Sequence, residues 1–292
     1  MLANLAERLF AEQATETLYH YTSFTGLQGI VSSSILRASD IRYMNDSTEL
    51  RHTLELLGEA ISARIQQGCD NPRLLTQLQE WLSHRVVQGP MLFVASFRAN
   101  GNLLSQWRGY SIHGKGVSLG FNPEHVADCA ERQMYQLGRC IYDEQHQRAL
   151  MSDILGALEN AASGDAPLAV AARESADFHS LFELAEAELL RIAAILKHPS
   201  FEEEQEWRIV SPPIRDDKHA PVHFREGKYM LVPYYDFRLA VAGGERMTLE
   251  HVFLGPTPNR ELSMNSLRLY LEKYGVEPRR GIDYCRIPYR QR

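Results

Sequence analysis

The spacing of apolar residues changes period several times along this chain, and each change marks an element. Leu2, Leu5, Leu9 and Phe10 recur at helical spacing and predict a short amphipathic helix. Leu18–Tyr21 reads as a strand. The capping-box pattern Thr25-Gly26-Leu27-Gln28 then predicts a helix through Ile30 and Val31. Ile35–Ala38 reads as a second strand, followed by a polar loop through Asp40, Arg42, Tyr43 and Asn45. Asp46 with Glu49 signals the start of a long helix through Leu54, Leu57 and Ile61, which Gly68–Pro72 breaks. Leu74, Leu75, Leu78 and Trp81 continue as another helix.

The texture changes at Met91–Phe97, an apolar run with the composition of a buried strand. Leu103–Tyr110 follows a turn. Gly116–Phe121 reads as a strand whose glycines permit close backbone approach, and Tyr135–Tyr142 as another. Residues 145–197 are helical in period, interrupted near Gly164, Asp165 and Pro167. Strands are expected again at Glu206–Val210, Val222–Arg225, Tyr229–Val232 and Val252–Gly255. A helix at Leu262–Tyr274 and a strand at Tyr284–Pro288 follow. Strands split by a helical insertion predict an α+β fold with helices grouped apart from the sheet. One domain over 1–292, with the insertion at about 145–197, is the expected organisation.

Composition narrows the function classes. The chain has 292 residues, ample for a core, and a net charge of −6, which lacks the basic field of a general nucleic-acid binder. Cys69, Cys129, Cys140 and Cys285 form no C-x-x-C pair and fit a reduced protein without a disulfide framework or a zinc site. The charge pair within the first ten residues argues against a signal peptide, and no apolar run reaches the ~18 residues of a membrane span. A cytoplasmic protein without membrane partners is expected.

Several residues have both a structural and a chemical use. His20 on its strand is either a satisfied core residue or a ligand contact, and Tyr21 must face the other side of that strand. Ser96 is either a strand-end serine or a hydroxyl that holds a ribose or base. Trp107 and Tyr110, three apart on one helical turn, either pack or stack on a ring. Arg42 and Arg108 are surface or ion-pair arginines, or forked donors to a pyrophosphate. Glu202–Glu206 is an acidic run that enters a strand. Glu204, Glu206 and Arg208 would share a face if the strand starts early enough. Glu206 then either pairs with Arg208 or stabilises an oxocarbenium-like transition state, as carboxylates do in glycosidases. There is no G-x-G-x-x-G, phosphate loop, H-E-x-x-H or G-x-S-x-G motif, so any nucleotide site is of another kind, and no metal is expected.

Taken in order, five segments resemble an uncharacterised bacterial domain family. They are His20-Tyr21-Thr22, Asn45-Asp46 with Glu49, Ala95-Ser96-Phe97, Trp107 with Tyr110 before Gly116–Phe121, and Glu204–Arg208. The resemblance covers most of the chain from Leu18 onward. The opening also resembles ADP-ribosyltransferases of the histidine–tyrosine–glutamate type and the DarT-like enzymes that modify DNA. That resemblance implies an ADP-ribosyltransferase-like, split, mostly antiparallel sheet and NAD as substrate. It gives His20 the adenosine ribose, Glu206 the nicotinamide ribose and Glu204 the engagement of the acceptor. Tyr21, Thr22, Arg42, Ser96, Trp107 and Tyr110 remain as further NAD contacts. It implies a protein or nucleic-acid acceptor, or water in a NAD hydrolase, and a toxin or phage-defence role in which an antitoxin is a possible partner. The alternative is a non-catalytic module that binds a nucleotide or a partner protein.

Overall fold

A computed structural model describes residues 2–44, 48–110, 116–215, 220–227, 229–240 and 247–287. Asn45, Asp46 and Pro288 lie outside the described residues, as do the side chains of Glu49 and Tyr110. The elements run α1 (Leu2–Leu9), β1 (Leu18–Ser23), α2 (Phe24–Ser33), β2 (Ile35–Asp40), α3 (Thr48–Gln66), α4 (Pro72–Gln88), β3 (Phe93–Arg98), α5 (Leu104–Tyr110) and β4 (Gly116–Phe121). Then come α6 (Pro123–Arg132), β5 (Gln136–Arg139), α7 (Glu144–Ser163), α8 (Pro167–Ser175), α9 (His179–Ile195), β6 (Glu206–Val210), β7 (His223–Glu226), β8 (Leu231–Arg238), β9 (His251–Leu254), α10 (Arg260–Lys273) and β10 (Ile282–Tyr284).

The fold is α+β, with a mostly antiparallel open sheet and helices around it. The strand order is β10-β9-β4-β1-β3-β2-β8-β7, with β6 and β5 branching from β3. Only β9 and β10 pair in parallel among the described strands. Alternation along each strand gives the sheet two faces. Leu18, Phe93, Ala95, Phe97, Val117, Leu119, Trp207 and Ile209 point to one face, under α2, α6 and α10, and form the main core. Val94 and Val210 point to the other, against α9 residues Leu190, Ala193 and Ala194. A separate helical core joins α1, α3 and α4 to α7, α8 and α9. The helical layer therefore draws on residues 48–88 as well as the expected insertion.

Three local expectations are corrected. The cap of α2 is Ser23, whose hydroxyl accepts from the Gly26 amide at 3.2 Å, so Thr25 already lies inside the helix. Helix α6 was not foreseen, although Asn122-Pro123 supplies a capping side chain and a proline at the helix start. Glu204 is not on the β6 strand: Pro199–Glu204 is a 3-10 turn, and Gln205 at φ 41° separates it from Glu206.

The sheet parts at β3. Strand β1 meets β3 only at Tyr19–Arg98, and β2 meets it only at Ser39–Val94 and Asp40–Phe93. On that edge Ala95, Ser96 and Phe97 lie opposite no strand, while their other edge is fully paired to β6. Helix α2, which links β1 to β2, closes one side of the gap.

Candidate functional site

The parting of β1 from β2 opens a cleft of about 900 Å³, a volume that accommodates a dinucleotide-sized ligand. Its walls are β1 and α2 on one side and β2, β7 and β8 on the other. Strand β3 forms the floor, and the end of α5 contributes Gln106 and Gly109.

His20 stands where the ladder is interrupted. Its Nδ1 lies 3.0 Å from the carbonyl oxygen of Ser96, a backbone acceptor that a neighbouring strand would otherwise satisfy. A carbonyl can only accept, so Nδ1 carries the proton and the neutral ring keeps Nε2 as an acceptor. Burial pushes the imidazole below its ordinary value; the Ser96 carbonyl opposes this and Arg98 adds to it. The ring is edge-on to Phe97, with centroids 6.0 Å apart.

Tyr21 borders the cleft but is committed to structure. Its hydroxyl donates to the Asn100 carbonyl at 2.9 Å and accepts from the Leu103 amide at 2.8 Å. Its ring packs edge-on against Trp107 at 4.9 Å. Burial raises its pKa. Thr22 and Ser96 line the cleft, and the Ser96 hydroxyl is shut from water with no hydrogen-bond partner among the described residues.

Five expected residues, Arg42, Trp107, Arg108, Glu204 and Glu206, do not line the cleft. Trp107 is fully buried and its Nε1 donates to Asn102 at 2.8 Å, so it packs rather than presenting a stacking face. Arg42 is taken by Asp40, with contacts at 3.0 and 2.6 Å, and by the Gly89 carbonyl at 3.1 Å. Glu206 lies on β6, beside the floor strand in the sheet, with 1% of its side chain exposed.

Glu206 is the centre of a buried ion cluster. Lys197 Nζ approaches it at 2.5 Å, Arg208 Nε at 2.8 Å and Arg98 Nη1 at 3.1 Å. Glu204 joins through Lys197 at 2.7 Å and Arg98 at 2.6 Å. Burial alone would raise the Glu206 carboxyl, but Arg208, Arg98 and Lys197 together hold it well below the usual carboxylate range. The Tyr142 hydroxyl accepts from the Glu206 amide at 3.0 Å. Glu206 and Arg208 do share a face of β6, as alternation predicts. Their cross-strand partners are Arg98 and Ser96, so the cluster continues directly into the floor.

Sequence reasoning missed Arg98, Lys197 and the far wall. Ser96 and Arg98 alternate with apolar neighbours in Phe93–Arg98, which was signal enough to place both on one face. Lys197 follows the wholly apolar Ala193–Leu196, an unusual place for a lysine. On the far wall, Arg37 stacks over Tyr234 at 4.9 Å, Asp236 lies across from Arg37, and Arg225 donates to Ser39 at 3.1 Å. Among the described residues no three His, Cys, Asp or Glu side chains form a metal-holding group.

Residues 106–209 match the model of a family described as a protein of unknown function (DUF2971). The match agrees with an uncharacterised domain family. It contains Trp107, Lys197, Glu204, Glu206 and Arg208, and stops before the β7–β8 wall. No curated protein and no solved structure matches the chain. No described helix is long and apolar enough to cross a membrane.

Proposed function

We propose that the chain binds NAD in the cleft where the sheet parts and transfers its ADP-ribose to a protein or nucleic-acid acceptor. The observation that carries this reading is His20: a neutral imidazole on the cleft wall, oriented by the Ser96 carbonyl, with Nε2 left to accept from a ribose hydroxyl. Thr22 adds a hydroxyl to the same wall. In the reaction the bond between C1′ and the pyridinium nitrogen breaks, and nicotinamide leaves neutral with the electron pair. The acceptor's nucleophile attacks C1′ and gives up its proton. Water as acceptor makes the same step a NAD hydrolysis. In this reading Glu206 is the carboxylate that steadies the oxocarbenium; it remains ionised, held so by Arg208, Arg98 and Lys197, and it meets the cleft through Arg98, its cross-strand partner. A toxin or phage-defence effector held by an antitoxin is the biological setting that goes with this chemistry.

The burial of Glu206 favours a second reading, a nucleotide-binding module in which the ion cluster is purely structural. Nicotinamide release by the purified protein and by a folded Glu206→Gln variant separates the two. Release that disappears with Glu206→Gln supports transfer; NAD binding without release in either protein, across candidate acceptors, supports the module.

A further inference from the structure

Alternation along β2 and β8 sorts the residues of the far wall. Leu36 and Ala38 of β2 and Phe237 of β8 enter the main core, whereas Arg37, Ser39, Tyr234 and Asp236 line the cleft. Arg37 lies directly across from Asp236, and Ser39 across from Tyr234. The Arg37 guanidinium does not close on its cross-strand neighbour. It takes the diagonal and stacks over the Tyr234 ring, 4.9 Å from its centroid. The Asp236 carboxylate has His223 Nε2 at 3.7 Å instead, and the His223 ring packs on Tyr234 with centroids 5.5 Å apart.

A guanidinium stacked on a ring uses its face, and its five N–H donors lie in its plane. Among the described residues none of these donors meets an acceptor and no carboxylate pairs with Arg37. The other two arginines that line the cleft are committed. Arg98 is held by Glu204, Glu206 and the Phe97 carbonyl, and Arg225 donates to Ser39. Arg37 is exposed, so its donors are open to a ligand in the cleft.

We infer that Arg37 is the phosphate-binding residue of the cleft: its guanidinium, held in plane by Tyr234, takes the diphosphate of the ligand through forked hydrogen bonds. This deepens the NAD reading and rests on it for the identity of the anion. Tyr234 is a positioning residue. Asp236 limits the affinity, because a carboxylate opposite Arg37 repels the incoming phosphate. The rival account is that the stack only joins β2 to β8, in which case losing Arg37 lowers the melting temperature and leaves ligand affinity untouched.

Calorimetric titration of the whole chain with inorganic pyrophosphate, ADP-ribose and adenosine separates the two. Arg37→Gln changes an exposed side chain and should fold. It is expected to weaken pyrophosphate and ADP-ribose about tenfold or more and to leave adenosine unchanged. Arg37→Lys, which keeps the charge without the fork, is expected to fall between. Tyr234→Leu should weaken pyrophosphate several-fold, whereas Tyr234→Phe, which keeps the ring, should stay near wild type. Asp236→Asn should tighten it several-fold. A folded Arg37→Gln protein that binds pyrophosphate and ADP-ribose as wild type does would overturn the inference, whatever its melting temperature. So would a wild-type protein that binds neither, or an equal loss of adenosine, which would mean that Arg37 only shapes the cleft. Pyrophosphate binding that depends on Arg37 without any NAD binding keeps the site and removes the NAD reading. NAD binding indifferent to Arg37 does the reverse.

Discussion

At the scale of single residues, the two candidates on either side of the cleft floor make opposite electrostatic demands. His20 is useful as a neutral acceptor, and burial keeps it so by lowering its pKa from 6.5. Nucleotide binding should therefore stay constant as pH falls from neutrality through 6.5 and decline only below that, once Nε2 takes a proton. Stability should follow the same sign, since the unfolded chain binds the proton first and draws the equilibrium toward itself below 6.5. Titrations of ADP-ribose and urea melts from pH 5 to 8 check both, and His20→Ala should remove this part of the slope. Glu206 is useful only when ionised. Its depressed pKa means that its contribution is complete above 4.5 and fades as pH falls toward the folded value. Glu206→Gln strips a buried partner from three cations, so it should cost about 3–5 kcal/mol near neutral pH. Urea unfolding should show that gap closing in acid. A gap that widens in acid would mean that the carboxylate is not held ionised by its neighbours.

At the scale of elements, helix α2 sets the width of the cleft, and two of its glycines do so in different ways. A Cβ on Gly26 would run into the Thr22 side chain, whereas one on Gly29 would meet nothing within 4 Å. Gly26→Ala should push α2 away from β1 and lower the melting temperature, and Thr22→Ala in the same chain should restore most of it. Gly29→Leu should fold at least as well as wild type, because glycine costs about 1 kcal/mol in a helix interior relative to better helix formers. Its side chain would nevertheless occupy the cleft, so nucleotide binding should be lost. Retained binding in Gly29→Leu would place the ligand elsewhere. These elements also show what was legible in the sequence. Period and composition located β1, β3, β4, β6 and most helices, and put His20, Ser96 and Glu206 on strands. They did not reveal that Glu204 sits on a 3-10 turn, since an acidic run reads equally well as the start of a strand. Neither did they show that Trp107 is enclosed, because a tryptophan one turn from a tyrosine fits packing and stacking alike. Arg98 and Lys197 escaped because their significance is a cross-strand and cross-layer encounter, which local spacing does not encode.

At the scale of the whole molecule, the helices that clothe the two sheet faces leave one interruption, along β3 between β1 and β2. Backbone groups that would have paired there face the cleft, and His20 replaces a strand as the partner of Ser96. That arrangement sets the His20 imidazole on the wall beside Arg98 on the floor, which pairs with the ionised Glu206 of β6. The family match runs from Gln106 to Ile209 and takes in Lys197, Glu204, Glu206 and Arg208 but neither the His20 strand nor the floor strand with Arg98, so the account depends on segments inside and outside the match working as one site. The most direct measurement is nicotinamide release from NAD by the purified protein, wild type beside His20→Ala, with circular dichroism to establish that both are folded. The account predicts NAD binding and release by the wild type and loss of both in the variant. A folded wild-type protein that neither binds NAD nor releases nicotinamide, or a His20→Ala protein that releases it at the wild-type rate, would contradict it.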